Sequence, residues 1–314
     1  MNRVSLLLLL LTLSVISLFV GVKDISLTEL FRLEEDEARV MAISRFPRTV
    51  AIVLAGVGMS VCGLIMQQML HNKFVSPTIV GTLDAAKMGI LASILLIPQG
   101  GTINKMLFSL LFTFLASLLF IKMTERIKYR NIIFIPLVGI MFGNILNAVS
   151  TYFAYQHNIV QNMNAWLVGD FSSVLQGRYE MIYVCLPAIA LTYAYANKFT
   201  VVGMGEAFSK NLGLNYRATI NLGLFCVSLT VSVIMITVGA IPFLGLVIPN
   251  IVSLLYGDNL KKTLPYTALF GAIFLLICDV LGRLIIFPFE VPIGIMVGVI
   301  GGAIFLTLLL KKRS

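Results

Sequence analysis

Charged residues are scarce in this sequence: Asp, Glu, Lys and Arg make up 12% of its 314 residues, about half the share found in soluble domains. The scarcity excludes a soluble protein, because too little polar surface remains to keep such a chain in water. It also excludes a disordered chain or a coiled coil, since both are rich in charge. Apolar residues make up 59% of the chain, and the mean hydropathy is +0.98. The sequence therefore predicts a protein whose solvent is lipid.

Reactive side chains are few, and their spacing matches no catalytic motif. The two histidines, His71 and His157, are far apart in the chain. The sequence has no zinc-protease motif, nucleophile elbow, phosphate-binding P-loop or paired-carboxylate motif. It therefore predicts a protein without enzymatic activity, cofactor or resident metal. The cysteines lie in apolar stretches without CxxC spacing, which indicates inert buried thiols; they are Cys62, Cys185, Cys226 and Cys278.

Apolar runs long enough to cross a membrane recur along the whole chain. A hydrocarbon core about 30 Å thick needs roughly 20 helical residues, and on that scale the sequence predicts about ten spans in a single transmembrane domain, 1–314. The uncharged stretch 218–257 is too long for one crossing, and we divide it at Gly239 and Pro242, which interrupt helices. The predicted spans are 4–22, 49–70, 78–97, 106–121, 132–152, 181–197, 218–238, 243–257, 264–284 and 291–310.

The positive residues predict the orientation of these spans. With the N-terminus inside, fourteen lysines and arginines fall in cytoplasmic segments and eight fall in external ones. Since cytoplasmic loops are enriched in Lys and Arg, both termini are predicted to be cytoplasmic. The same clustering between apolar runs argues that the net charge of +9 reflects membrane orientation and not binding to nucleic acid.

Two pairs of opposite charges lie inside predicted spans. Asp84 and Lys87 are three residues apart, and Asp279 and Arg283 are four apart, so each pair can meet on one helix face. We favour mutually neutralised structural pairs that face the interior of the bundle. A proton relay, which an ion-coupled secondary transporter of a small solute would need, stays open as an alternative.

The segment 198–217 is predicted to be a cytoplasmic loop that contains a short helix, 206–211. Leu212-Gly213 follows this helix and is a plausible C-terminal cap. By composition alone, the helix is a connector or a surface that docks against another subunit.

Six segments along the chain carry a family resemblance. They are Arg45-Phe46-Pro47-Arg48; Gln67-Gln68 with Asn72–Pro77 and Gly81; Trp166–Asp170; Gly205-Glu206-Ala207 with Leu212-Gly213; Phe243–Asn250; and Asp279, Arg283 and Glu290–Gly294 with Gly301-Gly302. In this order they resemble motifs of the permease subunits of the iron-siderophore and cobalamin family of ABC importers, and the resemblance runs nearly end to end. Departures at Lys73, Asp84–Lys87 and Asn250 resemble a petrobactin-like subgroup that imports catecholate siderophores.

The resemblance implies a type II ABC importer permease fold in the bacterial cytoplasmic membrane. It implies that the chain translocates a ferric siderophore, with catecholates favoured, and that it has no ATPase site of its own. The implied partners are a cytoplasmic ATP-binding subunit, a second and different permease chain, and an external siderophore-binding protein. An intramembrane enzyme is a further alternative, but the predicted spans lack clustered catalytic side chains.

The resemblance also implies roles for particular residues. Gly205, Glu206, Ala207, Leu212 and Gly213 would form the loop that couples to the ATPase. Arg45, Arg48 and Arg283 would dock the binding protein through its carboxylates, and the alternative for each arginine is to anchor its helix at the membrane interface.

Overall fold

The computed structural model of the chain describes residues 2–21, 35–126 and 133–311, and the regular structure in these ranges is entirely helical. The prediction of an all-α protein is therefore confirmed for the described residues. Residues 23–34, in the segment between the first two predicted spans that the orientation would place outside, lie outside the described residues, as do Lys128, Arg130, Lys312 and Arg313. The helices are α1 (Arg3–Phe19), α2 (Glu35–Val40), a π-helical turn (Met41–Arg45), α3 (Phe46–Met69), α4 (Thr82–Leu96), α5 (Thr102–Arg126), α6 (Phe134–Gln156), α7 (Val160–Leu167), a 3-10 turn (Glu180–Val184), α8 (Cys185–Ala194), α9 (Ala196–Val202), α10 (Glu206–Asn211), α11 (Tyr216–Thr237), α12 (Leu244–Tyr256), α13 (Leu260–Ile285) and α14 (Ile293–Lys311).

Six of the described helices are long and apolar enough to cross a membrane. The first of these runs without a break from Glu37 to Met69, because the π-helical turn joins α2 to α3. The others are α5, α6, α11, α13 and α14. Three shorter apolar helices cover Arg3–Phe19, Glu180–Ala194 and Leu244–Tyr256, and α4 has 15 residues with Asp84 in its first turn.

The structure corrects the predicted boundaries of the segment 198–217. Its first residues are not loop, because α9 continues to Val202, and Phe199 and Val202 are fully buried. The predicted sixth span, 181–197, is also interrupted, since a 3-10 turn precedes α8 and Tyr195 separates α8 from α9. Short helical segments of this kind have no periodicity of their own that a sequence window can resolve.

Helix α3 lies at the centre of the bundle, where glycines let its neighbours approach closely. A β-carbon added to Gly63 would overlap the backbone of Gly245 in α12, and one added to Gly56 would overlap the backbone of α13. Small residues permit such backbone contact between helices, and packing of this kind holds membrane bundles together. Most residues of α3 and α11 are buried, whereas only about a fifth of those of α6 and α14 are.

The predicted division of 218–257 is confirmed: α11 ends at Thr237 and α12 begins at Leu244. Backbone polar groups at a helix break inside a membrane must find partners within the protein. The backbone N–H of Asp170 donates to the Val238 carbonyl at 2.9 Å, and Gly169 packs against Ala240. The Trp166–Asp170 segment thus packs against the break between α11 and α12 and satisfies one of its carbonyls, although Asp170 and Val238 are 68 residues apart in the sequence.

Candidate functional sites

Helix α10 forms a short, tightly fixed projection between α9 and α11. The sequence predicted a helix at 206–211, and the structure has one at Glu206–Asn211. Gly205 before it and Gly213 after it have φ values of +107° and +73°, a backbone conformation that other residues adopt only with strain. The buried hydroxyl of Ser209 donates to the carbonyls of Val201 and Gly205. This fixes α10 against the end of α9.

The outer face of this projection is apolar. Phe208 and Leu212 are one helical turn apart at the end of α10, and Met204 lies in the turn before it. Their side chains are 48%, 61% and 59% exposed, and we call these three residues the apolar stripe. Glu206 pairs with Lys210 at 2.8 Å and lies on another face of α10. Leu212 was identified from the sequence, but Phe208 was not, although its spacing of four residues from Leu212 is a readable signal; Met204 was also missed.

The end of α3 contacts the end of α9 and the turn that leads to α10. His71 has a positive φ of 51°, and its Nε2 lies 2.9 Å from the Val202 carbonyl oxygen. The side chain of Gln68 packs so closely on Gly203 that a β-carbon there would overlap its Oε1. A displacement of α10 would therefore reach α3 through two contacts.

A polar cavity of about 260 Å³ lies beside these contacts, between α3, α12 and α13. At the edge of this cavity, the Lys73 ammonium forms an ion pair with the Asp258 carboxylate at 2.8 Å and donates a hydrogen bond to Ser253. Asn250 donates to the Lys73 carbonyl at 2.8 Å. Lys73 and Asn250, both departures from the family-like motif, thus form one linkage, which the sequence did not indicate because they are 177 residues apart.

Four charged side chains meet at the opposite end of α3. Arg48 lies 2.7 Å from Asp279 Oδ1 and 2.7 Å from Glu290 Oε2. Arg283 Nη2 lies 2.5 Å from Asp279 Oδ2, in an ion pair without the alignment of a hydrogen bond. We call Arg48, Asp279, Arg283 and Glu290 the charge hub. The predicted pair of Asp279 and Arg283 is present, and Arg48 and Glu290 extend it.

Two of the three predicted docking arginines hold the end of α1. Arg283 donates to the carbonyls of Ser17 and Val20, and Arg45 donates to those of Leu18 and Phe19. The last carbonyls of a helix have no partner within it, and a cationic side chain satisfies them well. Arg45 and Arg283 are buried, and the Arg48 side chain is 13% exposed. Arg48 is therefore the most accessible of the three.

The second predicted charge pair lies between α4 and α6. Lys87 Nζ is 3.4 Å from Asp84 Oδ1 and makes a shorter hydrogen bond to the amide oxygen of Asn147. The Lys87 side chain is fully buried, whereas a quarter of the Asp84 side chain is exposed. Asn147 was not identified from the sequence, because nothing in α6 signals a partner 60 residues away.

Among the described residues, no three His, Cys, Asp or Glu side chains lie close enough together to hold a metal ion. The four cysteines are buried free thiols, as their apolar surroundings in the sequence indicated.

Comparison with known proteins shows which proteins this sequence resembles. The model of the FecCD transport family matches residues 8–311. The petrobactin import system permease protein YclN of Bacillus subtilis is 53% identical over 306 residues, which cover 98% of this chain and 97% of that protein. The ferric-anguibactin transport system permease protein FatD of Vibrio anguillarum is 48% identical over 300 residues, with 96% of each chain covered.

Solved structures share the fold at lower sequence identity. An ABC transporter assigned to the metal-chelate type, in an inward-facing conformation, superposes with a TM-score of 0.84 at 23% identity and covers 98% of both chains. PsaBC from Streptococcus pneumoniae superposes with a TM-score of 0.63 at 16% identity. At these identities the comparison establishes the fold alone.

Proposed function

Because this chain belongs to the FecCD transport family, we propose that it is the membrane-spanning permease subunit of an ABC importer for a ferric siderophore, with the catecholate class favoured. The observation that carries this proposal is the end-to-end similarity to a petrobactin permease, 53% identical over 98% of this chain. The direct test is ATP-dependent uptake of a ferric siderophore by the chain assembled with its partners in the bacterial cytoplasmic membrane or in liposomes.

The proposed partners follow from what the chain lacks and what it exposes. Since its sequence has no nucleotide-binding motif, ATP hydrolysis requires a separate cytoplasmic subunit. Few residues of α6 and α14 are buried, which is consistent with a second permease chain beside this one, and we favour a different chain over a second copy. An external binding protein would deliver the ferric siderophore.

We propose that the chain crosses the membrane ten times with both termini in the cytoplasm. The six long helices, the three shorter apolar ones and α4 together give that number. The excess of Lys and Arg in the segments that would then be cytoplasmic supports the orientation. In this orientation α10 would lie on the cytoplasmic side of the membrane and the charge hub on the external side.

Thiol labelling tests this topology, with little background because all four native cysteines are buried. Gly101→Cys has open space around its side chain, and His157→Cys lies at an exposed position. Both should react with an impermeant thiol reagent added outside right-side-out vesicles, whereas Lys261→Cys should react only after permeabilisation. The reverse pattern would contradict the orientation, since an ATPase could not then reach α10.

The proposed mechanism assigns α10 to coupling. Gly205 and Gly213 set the turns at its ends, and Ala207 and Leu212 are exposed with Met204 and Phe208. These apolar side chains would fill a groove in the ATP-binding subunit. When that subunit moves, α10 would transmit the displacement to α3 through His71 and Gln68. The two bundles of the importer would then alternate which side of the membrane they open to.

We also propose that Arg45, Arg48 and Arg283 serve the docking of the binding protein, with Arg48 in direct contact. A carboxylate of the binding protein would replace Glu290, which is 28% exposed. Arg45 and Arg283 would act by holding α1 in place, because direct contact would require them to leave its carbonyls.

This exchange predicts different affinities for two matched variants. Glu290→Gln leaves Arg48 paired with Asp279 alone, so a complex with this variant should bind the binding protein at least as tightly as wild type. Arg48→Gln combined with Glu290→Gln should weaken binding about tenfold, with less dependence on salt. Arg178→Gln, at an exposed position on the same predicted side, is the control. Equal affinities for the two hub variants, measured with purified complexes, would show that Arg48 only anchors the helices.

A further inference from the structure

A polar patch interrupts the apolar outer surface of α6. Asn144 and Thr151 are exposed and Asn147 is partly exposed, and their spacing of three and four residues places them on one face. The neighbouring exposed side chains of α6 are apolar; they are Ile140, Met141, Ile145 and Val149.

Asp84 of α4 lies at the edge of this patch. Its Oδ2 is so close to Gly143 of α6 that a β-carbon there would be 2.9 Å away, so the absence of a side chain at Gly143 leaves room for the carboxylate. The Lys87 ammonium joins Asp84 to Asn147 from within the protein. Lys87 is fully buried and Asp84 is partly exposed, so the carboxylate is the charged group presented at the surface.

Such a patch is costly against lipid. A carboxylate and amide side chains at membrane depth normally face a bundle interior, a partner or a water-filled path. Structural neutralisation of Lys87 would need only a buried carboxylate and does not explain the exposure. Asp84 also has unused capacity, because an ionised carboxylate has about four acceptor positions and Lys87 contacts one oxygen at 3.4 Å.

We propose that Asp84 is a transient contact site for the transported ferric chelate, accepting a hydrogen bond from a protonated amine on the organic part of the chelate. The inference rests on the proposed import function and adds a preference for the cargo. Lys87 is a positioning residue, since its buried charge holds Asp84 and Asn147 together. It also offsets part of the carboxylate charge, which keeps the contact weak enough for the cargo to leave.

The test compares two probes that differ in one group: a ferric catecholate chelate with a free amine, and the same chelate with that amine acetylated. The assembled wild-type complex in liposomes should take up the amine form about tenfold faster. Asp84→Asn combined with Lys87→Met removes both charges together and should reduce this preference to less than about twofold. Yield and copurification of the ATP-binding subunit should be unchanged. Ile145→Ala, on the apolar exposed surface of the same helix, should keep the wild-type preference.

An unchanged preference in the double variant would overturn the inference and leave Asp84 and Lys87 as a structural pair. If the double variant fails to assemble, the ratio of uptake rates is measured in Asp84→Glu instead. This variant keeps the ion pair with Lys87 but moves the carboxylate. It should change the preference severalfold, and an unchanged ratio would again overturn the inference. Uptake of both probes at equal rates by wild type overturns this inference alone, whereas no ATP-dependent uptake of either probe overturns the proposed function as well.

Discussion

Replacing Phe208 and Leu212 together by Arg should abolish ATP-driven uptake while the chain remains folded in the membrane. Both side chains are about half exposed or more, and neither supports the core, so the bundle does not need them. Each side chain is already about half buried, so its burial in a partner groove would contribute about 0.8–1.5 kcal/mol. Their combined loss, about 1.6–3 kcal/mol, corresponds to roughly 15- to 150-fold weaker binding of the ATP-binding subunit, and the two introduced charges would oppose docking further.

The measurement is copurification of the ATP-binding subunit with the tagged permease, followed by uptake in liposomes. Lys210→Ala is the matched control, because Lys210 lies on the same short helix outside the apolar stripe. It should keep both activities within about twofold of wild type. Glu206→Arg is an informative third variant, since it tests the residue chosen from sequence without altering the stripe. Normal uptake and copurification in the double variant at Phe208 and Leu212 would show that α10 is only a connector.

Replacing Asp279 by Asn should cause the largest loss of stability in the charge hub. Asp279 is almost fully buried and contacts two arginines, and it joins α3 to α13. Its removal leaves Arg48 with Glu290 alone, and Arg283 with only the carbonyls and hydroxyl of α1. Breaking a buried ion pair by removing one partner costs about 3–5 kcal/mol, so we expect much lower yield and a clearly lower thermal inactivation temperature in detergent.

Glu290→Gln is the matched control for this prediction. Glu290 contacts the same Arg48 at the same distance of 2.7 Å, but its side chain is 28% exposed against 2% for Asp279. Because water can solvate Arg48 where the exposed Glu290 carboxylate is lost, we expect Glu290→Gln to lower the free energy of unfolding by about 1 kcal/mol or less. Equal thermal inactivation temperatures for the two variants would contradict a hub whose stability depends on buried Asp279.

The sequence was most informative where the signal is local. The helix at 206–211, the break at Gly239 and Pro242, and the pair of Asp279 and Arg283 could each be predicted because the relevant residues lie within one or two turns of each other. Helix propensity, glycine and proline chemistry and three- or four-residue spacing all act at that range.

Partners distant in the sequence could not be predicted from it. Glu290 reaches Arg48 across 242 residues, and Lys73 reaches Asp258 across 185. Such pairs depend on how α3, α12 and α13 pack, and that packing is set by the close glycine contacts at Gly56 and Gly63. The same limit explains why the burial of two predicted docking arginines could not be foreseen. The positions of Arg45 and Arg283 suggested an exposed surface, but the end of α1, which buries them, is distant in the sequence.

The most direct test of the central claim is uptake by defined components in proteoliposomes. The chain, a second permease chain and the ATP-binding subunit are reconstituted together, and the binding protein loaded with a radiolabelled ferric siderophore is added outside. The account predicts uptake that requires both ATP and the binding protein, and none by the chain alone under a proton gradient. Uptake by the chain alone, driven by the proton gradient without ATP, would contradict it and favour an ion-coupled secondary transporter.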